Sequence, residues 1–228
     1  MPGLAAFLAV LAAQPAPAAD FTGTAGAGGV GGSALEVTAG TAFTNALGSV
    51  VGGGAGGDGG SGGSGGNDGT VGQGGAGVVM AGNGQTLVNG GLIAGGLDGN
   101  GSVGARAVTI TGNDNRLELQ PGGSFEGEIV ATGTDNAFLL GGSSTGEFDN
   151  DALRSSLQGF ASFQKTDTGT WSLTGSDSQA WTVAQGTLKV AGSVGSATVT
   201  GGRIGGTGRL GSLTMGSGRS RLAIRSGR

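Results

Sequence analysis

The carboxylates between Glu147 and Asp167 are where this chain could carry out chemistry. In Glu147-Phe148-Asp149-Asn150-Asp151 the acids alternate, so an extended strand sets all three on one face. Asp167 follows as the fourth member of the group. Paired carboxylates cleave glycosidic bonds as acid and base, or as acid and nucleophile, without a histidine. The competing expectation, which we adopt, is a solvated outer face or loop with at most weak Ca²⁺ contact. Glu126-Gly127-Glu128 alternates in the same way and takes the same reading. Gly53 to Gly60 nearly fits the G-G-x-G-x-D-x-U nonapeptide of calcium-binding β-rolls. It carries Gly where a large apolar residue is needed, and the next turn, Gly62 to Asp68, places its Asp one residue late. Glycine richness alone accounts for that match, and for the many G-x-G-x-x-G matches. None of these is followed by the Gly-Lys-[Ser/Thr] of a P-loop. Trp171 and Trp181 have the surface to stack on sugars, but they alternate with Leu173 and Val183 and read as core. No catalytic, cofactor-binding or metal-ligating residue is therefore assigned, and no cofactor.

Composition narrows the classes further. The 228 residues include no His, no Cys and no Tyr. Ser-His-Asp and Cys-His machinery, disulfides and Cys-based zinc sites are excluded. Gly supplies 57 residues and Pro only 4, without a three-residue Gly period, so the chain is not collagen. Charged residues make up 11%, well below the usual quarter. A pI near 4.7 argues against nucleic acid as a partner. The first basic residue is Arg106, and six of the eleven basic residues crowd between Arg203 and Arg228.

The start of the chain reads as an export signal over residues 1–19. Leu4 to Ala13 is an apolar run too short to span a bilayer. Ala16-Pro17-Ala18 then places small residues for cleavage after Ala18 or Ala19. No Lys or Arg precedes the run, which departs from the usual pattern and fits a displaced start codon. No other stretch has the length and apolarity of a transmembrane helix.

Residues 20–106 are small, polar and Gly-dense, with a low-complexity insert at 52–77 that by itself resembles a flexible linker. Its flanks, Ala34 to Gly53 and Val78 to Gly96, share one pattern, with Asn45 and Asn89 in matching places. From Ala107 a repeat sharpens. Gly133-Thr134-Asp135-Asn136 repeats Gly112-Asn113-Asp114-Asn115, and Gly175-Ser176-Asp177-Ser178 follows at twice that interval. Short alternating strands flank each, for example Val108 and Ile110, Leu117 and Leu119, and Leu188 and Val190. Gly and Asn are expected to supply positive φ at these turns, and Asp to cap them through its side chain. Periods of about 20 residues imply a stacked solenoid, whose narrow interior calls for small and medium apolar residues. Aligned Asn side chains would ladder from coil to coil.

The last third carries a family resemblance. Phe163, Lys165, Gly169, Thr170, Trp171, Leu173, Thr174 and Gly175 fit F-x-K-x-G-x-G-T-W-x-L-T-G. Gly186-Thr187-Leu188-Lys189-Val190 and Gly201-Gly202-Arg203-Ile204-Gly205-Gly206-Thr207-Gly208 follow in order. The stretch 159–213 resembles the passenger-associated strand repeat of autotransporters of Gram-negative bacteria. Asp167 stands where that family more often has Gly. The resemblance implies an all-β protein, a right-handed parallel β-helix (β-solenoid) with coils of about 20 residues. It implies export to the periplasm, the cell surface or beyond. It also implies an outer-membrane β-barrel translocator as a partner in a full-length parent.

The family's G-G-x-L-A-P-G-x-S-x-G-T is not found after Gly211-Ser212-Leu213-Thr214. One back-translation of Gly218 to Arg228, read two bases on, encodes S-L-A-P-G-N-S-I-G-T. The expectation is a frameshift near Gly216 to Gly218, with the basic tail 216–228 out of frame. The regular β-helix is expected over 107–215. The function that follows is a non-catalytic exported passenger fragment, a structural stalk or adhesin-like surface protein whose glycan or host ligand the sequence does not name. The alternatives are a secreted polysaccharide-acting β-helix enzyme using the Glu147–Asp167 carboxylates, and a Gly-rich extracellular matrix protein.

Overall fold

Apolar residues at alternate positions can form a narrow interior only if successive strands stack in register, and the structure is built that way. It is a computed structural model that describes residues 21–22, 29–38, 42–59, 69–102, 104–216 and 223–224. The expected export signal, Gly62 to Asp68 and most of the basic tail lie outside the described residues.

The chain lays down its strands in successive turns. β1 (Phe21–Thr22) precedes β2 (Leu35–Val37), β3 (Ala42–Asn45) and β4 (Val50–Gly52). The next turn holds β5 (Val78–Met80), β6 (Thr86–Asn89) and β7 (Leu92–Ala94). It is followed by β8 (Val108–Ile110), β9 (Arg116–Leu119) and β10 (Ser124–Glu126). Then come β11 (Ile129–Ala131), β12 (Ala137–Leu140) and β13 (Thr145–Asp149). A short helix, α1 (Ala152–Ser155), leads to β14 (Leu157–Gln158), β15 (Ser162–Lys165) and β16 (Thr170–Thr174). Later turns have two strands each: β17 (Ala180–Val183) with β18 (Thr187–Val190), β19 (Ser193–Val199) with β20 (Arg203–Gly206), and β21 (Arg209–Met215) with β22 (Ala223–Ile224).

Equivalent strands of successive turns form four parallel sheets, β1-β4-β7-β10, β2-β5-β8-β11-β14, β3-β6-β9-β12-β15-β17-β19-β21 and β13-β16-β18-β20-β22. This is an all-β protein of stacked parallel sheets, consistent with a β-solenoid. At about 4.8 Å per strand, the eight-stranded sheet runs for about 34 Å. Its register steps fall from 44 residues at the start to 16 at the end. Phe43 pairs with Leu87, Leu87 with Leu117, Leu117 with Phe138 and Phe138 with Phe163, after which Trp181, Ala197 and Leu213 follow at closer spacing.

The interior is a set of columns. Val78, Val108, Ile129 and Leu157 stack in one, and Val51 and Ile93 in another, all buried. Bulk is matched between layers: Gly146 pairs with Trp171, and Trp181 with Ala197. A Cβ on Gly146 would lie 2.8 Å from the Trp171 ring. Phe138, Phe148, Phe163 and Trp181 form an aromatic cluster with centroid separations of 5.3–6.3 Å.

Corner residues are laddered. Gly82-Asn83-Gly84-Gln85 stacks under Gly112-Asn113-Asp114-Asn115, which stacks under Gly133-Thr134-Asp135-Asn136. Asn115 Oδ1 accepts from the Gln85 amide at 2.8 Å, and Asn136 Oδ1 from the Asn115 amide at 2.9 Å. Asn83 and Asn113 Oδ1 accept in the opposite sense, from the Asn113 and Thr134 amides. The left-handed position is filled by Gly84 at φ 65° and by Asp114 and Asp135 at φ 57°. Asp therefore adopts positive φ itself here, where the sequence reading gave it a capping role. Gly175-Ser176-Asp177-Ser178 does not join this stack. It follows β16 at a different corner, and its positive φ is at Gly175, because no strand of the β2–β14 sheet separates β16 from β17. Asn45 and Asn89, matched in the sequence, are register partners, and Asn45 Nδ2 donates to Asn89 Oδ1 at 2.8 Å.

The described parts of the Gly-rich insert pack backbone against backbone. Gly53, Gly56 and Gly59 face the carbonyls of Gly75, Gly72 and Gly69. Gly72 and Gly75 face those of Gly29 and Gly32, and Gly96 and Gly99 those of Gly54 and Gly57. At each of these positions a Cβ would lie 1.9–2.2 Å from the carbonyl oxygen. The contacts recur every third residue, the period of a polyproline-II-type helix. Backbone N–H to carbonyl hydrogen bonds of 2.8–2.9 Å, including Gly54 to Gly32, Gly75 to Gly54, Gly72 to Gly57 and Gly99 to Gly72, tie the segments together. Glycine is required here because no side chain fits between the backbones.

Candidate functional site

The carboxylates singled out in the sequence do not form one group. Glu147 and Asp149 point outward from β13 and are exposed, while Phe148 between them is buried. Asp151 has left the strand and sits at the start of α1, where its Oδ1 accepts from the Ser176 amide at 3.0 Å. Asp149 Oδ1 accepts in turn from the Asp151 amide. Asp167 lies beyond the other end of the strand pair. Thr170 pairs with Thr145 and Thr174 with Asp149, so about four residues, or about 13 Å of strand, separate the two ends. Glycosidase carboxyl pairs stand about 5–9.5 Å apart. Asp167 instead holds a turn: at φ 52°, it accepts from the Gly142 amide at 2.8 Å.

A different partner joins Glu147 and Asp149. The two residues line a cleft of about 670 Å³ together with Glu128, Ser124, Phe125, Ile129, Phe148 and Leu157. That volume lies in the range of ligand sites. The cleft opens between β10 and β13, with α1 and β14 closing one side. Three carboxylates line it, and none of the described residues lining it is Lys or Arg. Glu128 was legible only as one of an alternating pair. Its approach to β13 depends on how two turns of chain stack, a non-local property. Phe125 is half-buried and gave no signal beyond strand alternation.

The remaining candidates resolve into structure. Trp171 and Trp181 are each 1% exposed, and Trp171 Nε1 donates to the Gly141 carbonyl at 2.8 Å. Neither offers a face to a sugar. Gly53 to Gly59 belong to the packed glycine segments, with Asp58 exposed among them. Among the described residues, no three His, Cys, Asp or Glu side chains come together as a metal site.

Lys165, matched to the family motif, occupies an interior column between Leu140 and Val183 and is 0% exposed. Its Nζ donates to the carbonyl of Thr166 and, at 2.9 Å, to that of Asp167. Burial lowers its pKa below the ordinary lysine value, while Asp167 and Glu118 pull it back up. The ammonium is engaged by the Thr166–Asp167 turn, and this accounts for a lysine in that column.

No family model, curated protein or solved structure matches this chain. Among the described residues, no helix is long and apolar enough to cross a membrane.

Proposed function

We propose that this chain is a non-catalytic rod of the autotransporter-passenger type, serving as a stalk or adhesin-like surface element. In this reading it is a right-handed parallel β-helix with coils of about 20 residues. The observation that carries it is the unbroken eight-stranded parallel sheet from β3 to β21, with buried apolar columns behind it. Such a stack resists bending and proteolysis because every inner strand is paired on both edges. The passenger-like motifs fall on β15, β16, β18 and β20, where Thr170, Thr187 and Arg203 are register partners. An outer-membrane translocator is the partner this reading calls for.

Expression of the gene with its downstream region, followed by cell fractionation and N-terminal sequencing, tests the proposal. A mature chain beginning at Ala19 or Asp20, outside the cytoplasm and accessible to added protease, is the expected result. An unprocessed cytoplasmic chain overturns it. Sequencing past codon 210 reads out the frameshift directly. The polysaccharide-acting alternative now rests on Glu128, Glu147 and Asp149 in their shared cleft. Release of reducing ends that is lost in Asp149→Asn would favour it. A coil-type circular dichroism spectrum would favour the matrix alternative.

A further inference from the structure

One wall of the stacked coil is interrupted. β10 and β13 belong to consecutive turns of the chain, yet β10 ends one sheet and β13 begins another. The other two walls pass without a break between the same two turns, through β8 and β11 and through β9 and β12. A terminal strand of a sheet presents unpaired N–H and C=O groups on its open side. Two such edges border the 670 Å³ cleft, contributing Ser124 and Phe125 from β10, and Glu147, Phe148 and Asp149 from β13. Behind them lie apolar groups of Leu119, Ile129 and Leu157.

The cleft thus has the three features of strand addition: open backbone edges, apolar hollows for alternate side chains, and a charge that selects the partner. We propose that it is a docking slot for an extended, basic peptide segment of a partner protein, added as a strand at the break between β10 and β13. The charge decides for a cationic occupant, since Glu128, Glu147 and Asp149 line the cleft and none of the described residues lining it is Lys or Arg. A glycan fits less well. The aromatic groups are Phe125, half-buried, and Phe148, 9% exposed, so no open ring face awaits a sugar. This inference is independent of export and of the passenger reading.

The test uses the full chain and fluorescein-labelled peptides that alternate Lys and Val, read by fluorescence anisotropy at low ionic strength. The Lys–Val peptide is expected to bind. A Glu–Val peptide, and a Lys–Val peptide interrupted by proline, are expected to bind about tenfold more weakly or worse. Glu147→Lys and Asp149→Lys should each weaken binding by about tenfold, while Glu36→Lys, at the exposed position of β2, should leave it unchanged. If either reversal unfolds the chain by circular dichroism, Glu147→Gln and Asp149→Asn replace it, with a smaller loss expected. Equal binding of the proline-interrupted peptide overturns the proposal, because it reduces the interaction to charge alone. Absence of binding overturns it, and so does displacement of the peptide by chitosan oligosaccharides, which makes the cleft a glycan site.

Discussion

Adjacent glycines at the end of β4 give opposite predictions. Gly52 has nothing within 4 Å of the position a Cβ would take, and its φ lies outside the left-handed region. Alanine there fits the fold and removes freedom from the unfolded chain, so Gly52→Ala is expected to be neutral or to stabilise by about 0.4–1 kcal/mol. At Gly53 the same atom would stand 2.0 Å from the Gly75 carbonyl oxygen and 2.8 Å from the Gly96 amide nitrogen. Ordinary contact begins near 3.4 Å, so one segment must move by more than an ångström. That overpacks the bundle, at about 1–3 kcal/mol. It also strains the backbone hydrogen bonds from Gly53 N–H to the Ala94 carbonyl and from Gly96 N–H to the Gly75 carbonyl, worth about 1 kcal/mol each. Gly53→Ala should therefore destabilise this region by about 2–5 kcal/mol. Stacked repeats need not unfold in one step. The assay is accordingly local: hydrogen exchange, resolved by mass spectrometry, over peptides covering 53–59 and 69–77. Faster exchange in Gly53→Ala with unchanged exchange in Gly52→Ala is the expected result. Equal behaviour of the two variants would falsify the packed-glycine account and make the segment an ordinary linker.

Other perturbations probe the ladders and columns. Asn115→Ala removes the oxygen that receives the Gln85 amide in a buried corner and should cost about 1–3 kcal/mol, measured by urea denaturation. Gly146→Ala pushes a methyl onto the Trp171 ring and should lower stability by about 1–3 kcal/mol, with a change in tryptophan emission. Lys165 has a folded pKa below its unfolded value, so the unfolded chain binds more protons between the two and stability rises as pH climbs through that window. With no Cys or Tyr in the chain, a rise in melting temperature on the alkaline side that disappears in Lys165→Met identifies the group; a rise that persists in the variant refutes the assignment.

The sequence showed the fold wherever one residue's role depended on its own neighbours. Val108 and Ile110, or Leu117 and Leu119, mark strands by alternation alone, and each pair is buried as that alternation requires. Asn45 and Asn89 could be matched because their flanks match. Relations between turns were harder to read. Gly82 to Gln85 belongs to the same corner as the two later Asp-bearing turns, but its glycine takes the place of Asp and hides the kinship. Gly175 keeps the interval of the repeat and still falls at another corner, since β16 runs on to β17 with no strand of the β2–β14 sheet between them. The pairing of Gly53 with Gly75 left no pattern, because a backbone contact has no side-chain signature. Glu128 and Phe125 were obscured for a similar reason: the break between β10 and β13 is a property of stacking.

Glycine serves two opposed purposes in this chain. At Gly84 it supplies a left-handed turn that Asp114 and Asp135 also manage, so a residue with a side chain can replace it there at modest cost. At Gly53, Gly56, Gly72 and Gly75 its missing side chain lets backbones touch, and nothing can replace it. Both uses recur along the chain: Gly175, Gly186 and Gly206 take positive φ, while Gly192 and Gly208 face the carbonyls of Gly175 and Gly192. The glycine segments with a three-residue period lie toward the N-terminal side. Beyond β13, Trp171, Trp181 and Leu188 fill the interior, and beyond β16 the turns shorten and carry two strands in place of three. Among the described residues, the three-residue glycine contacts end at Gly99, ahead of β8. β10 is the last strand of the wall that starts beside them, and β13 the first of the wall that carries Trp171. The acidic cleft opens where the one wall stops and the other starts, so the opening follows from a change of wall in an otherwise continuous stack.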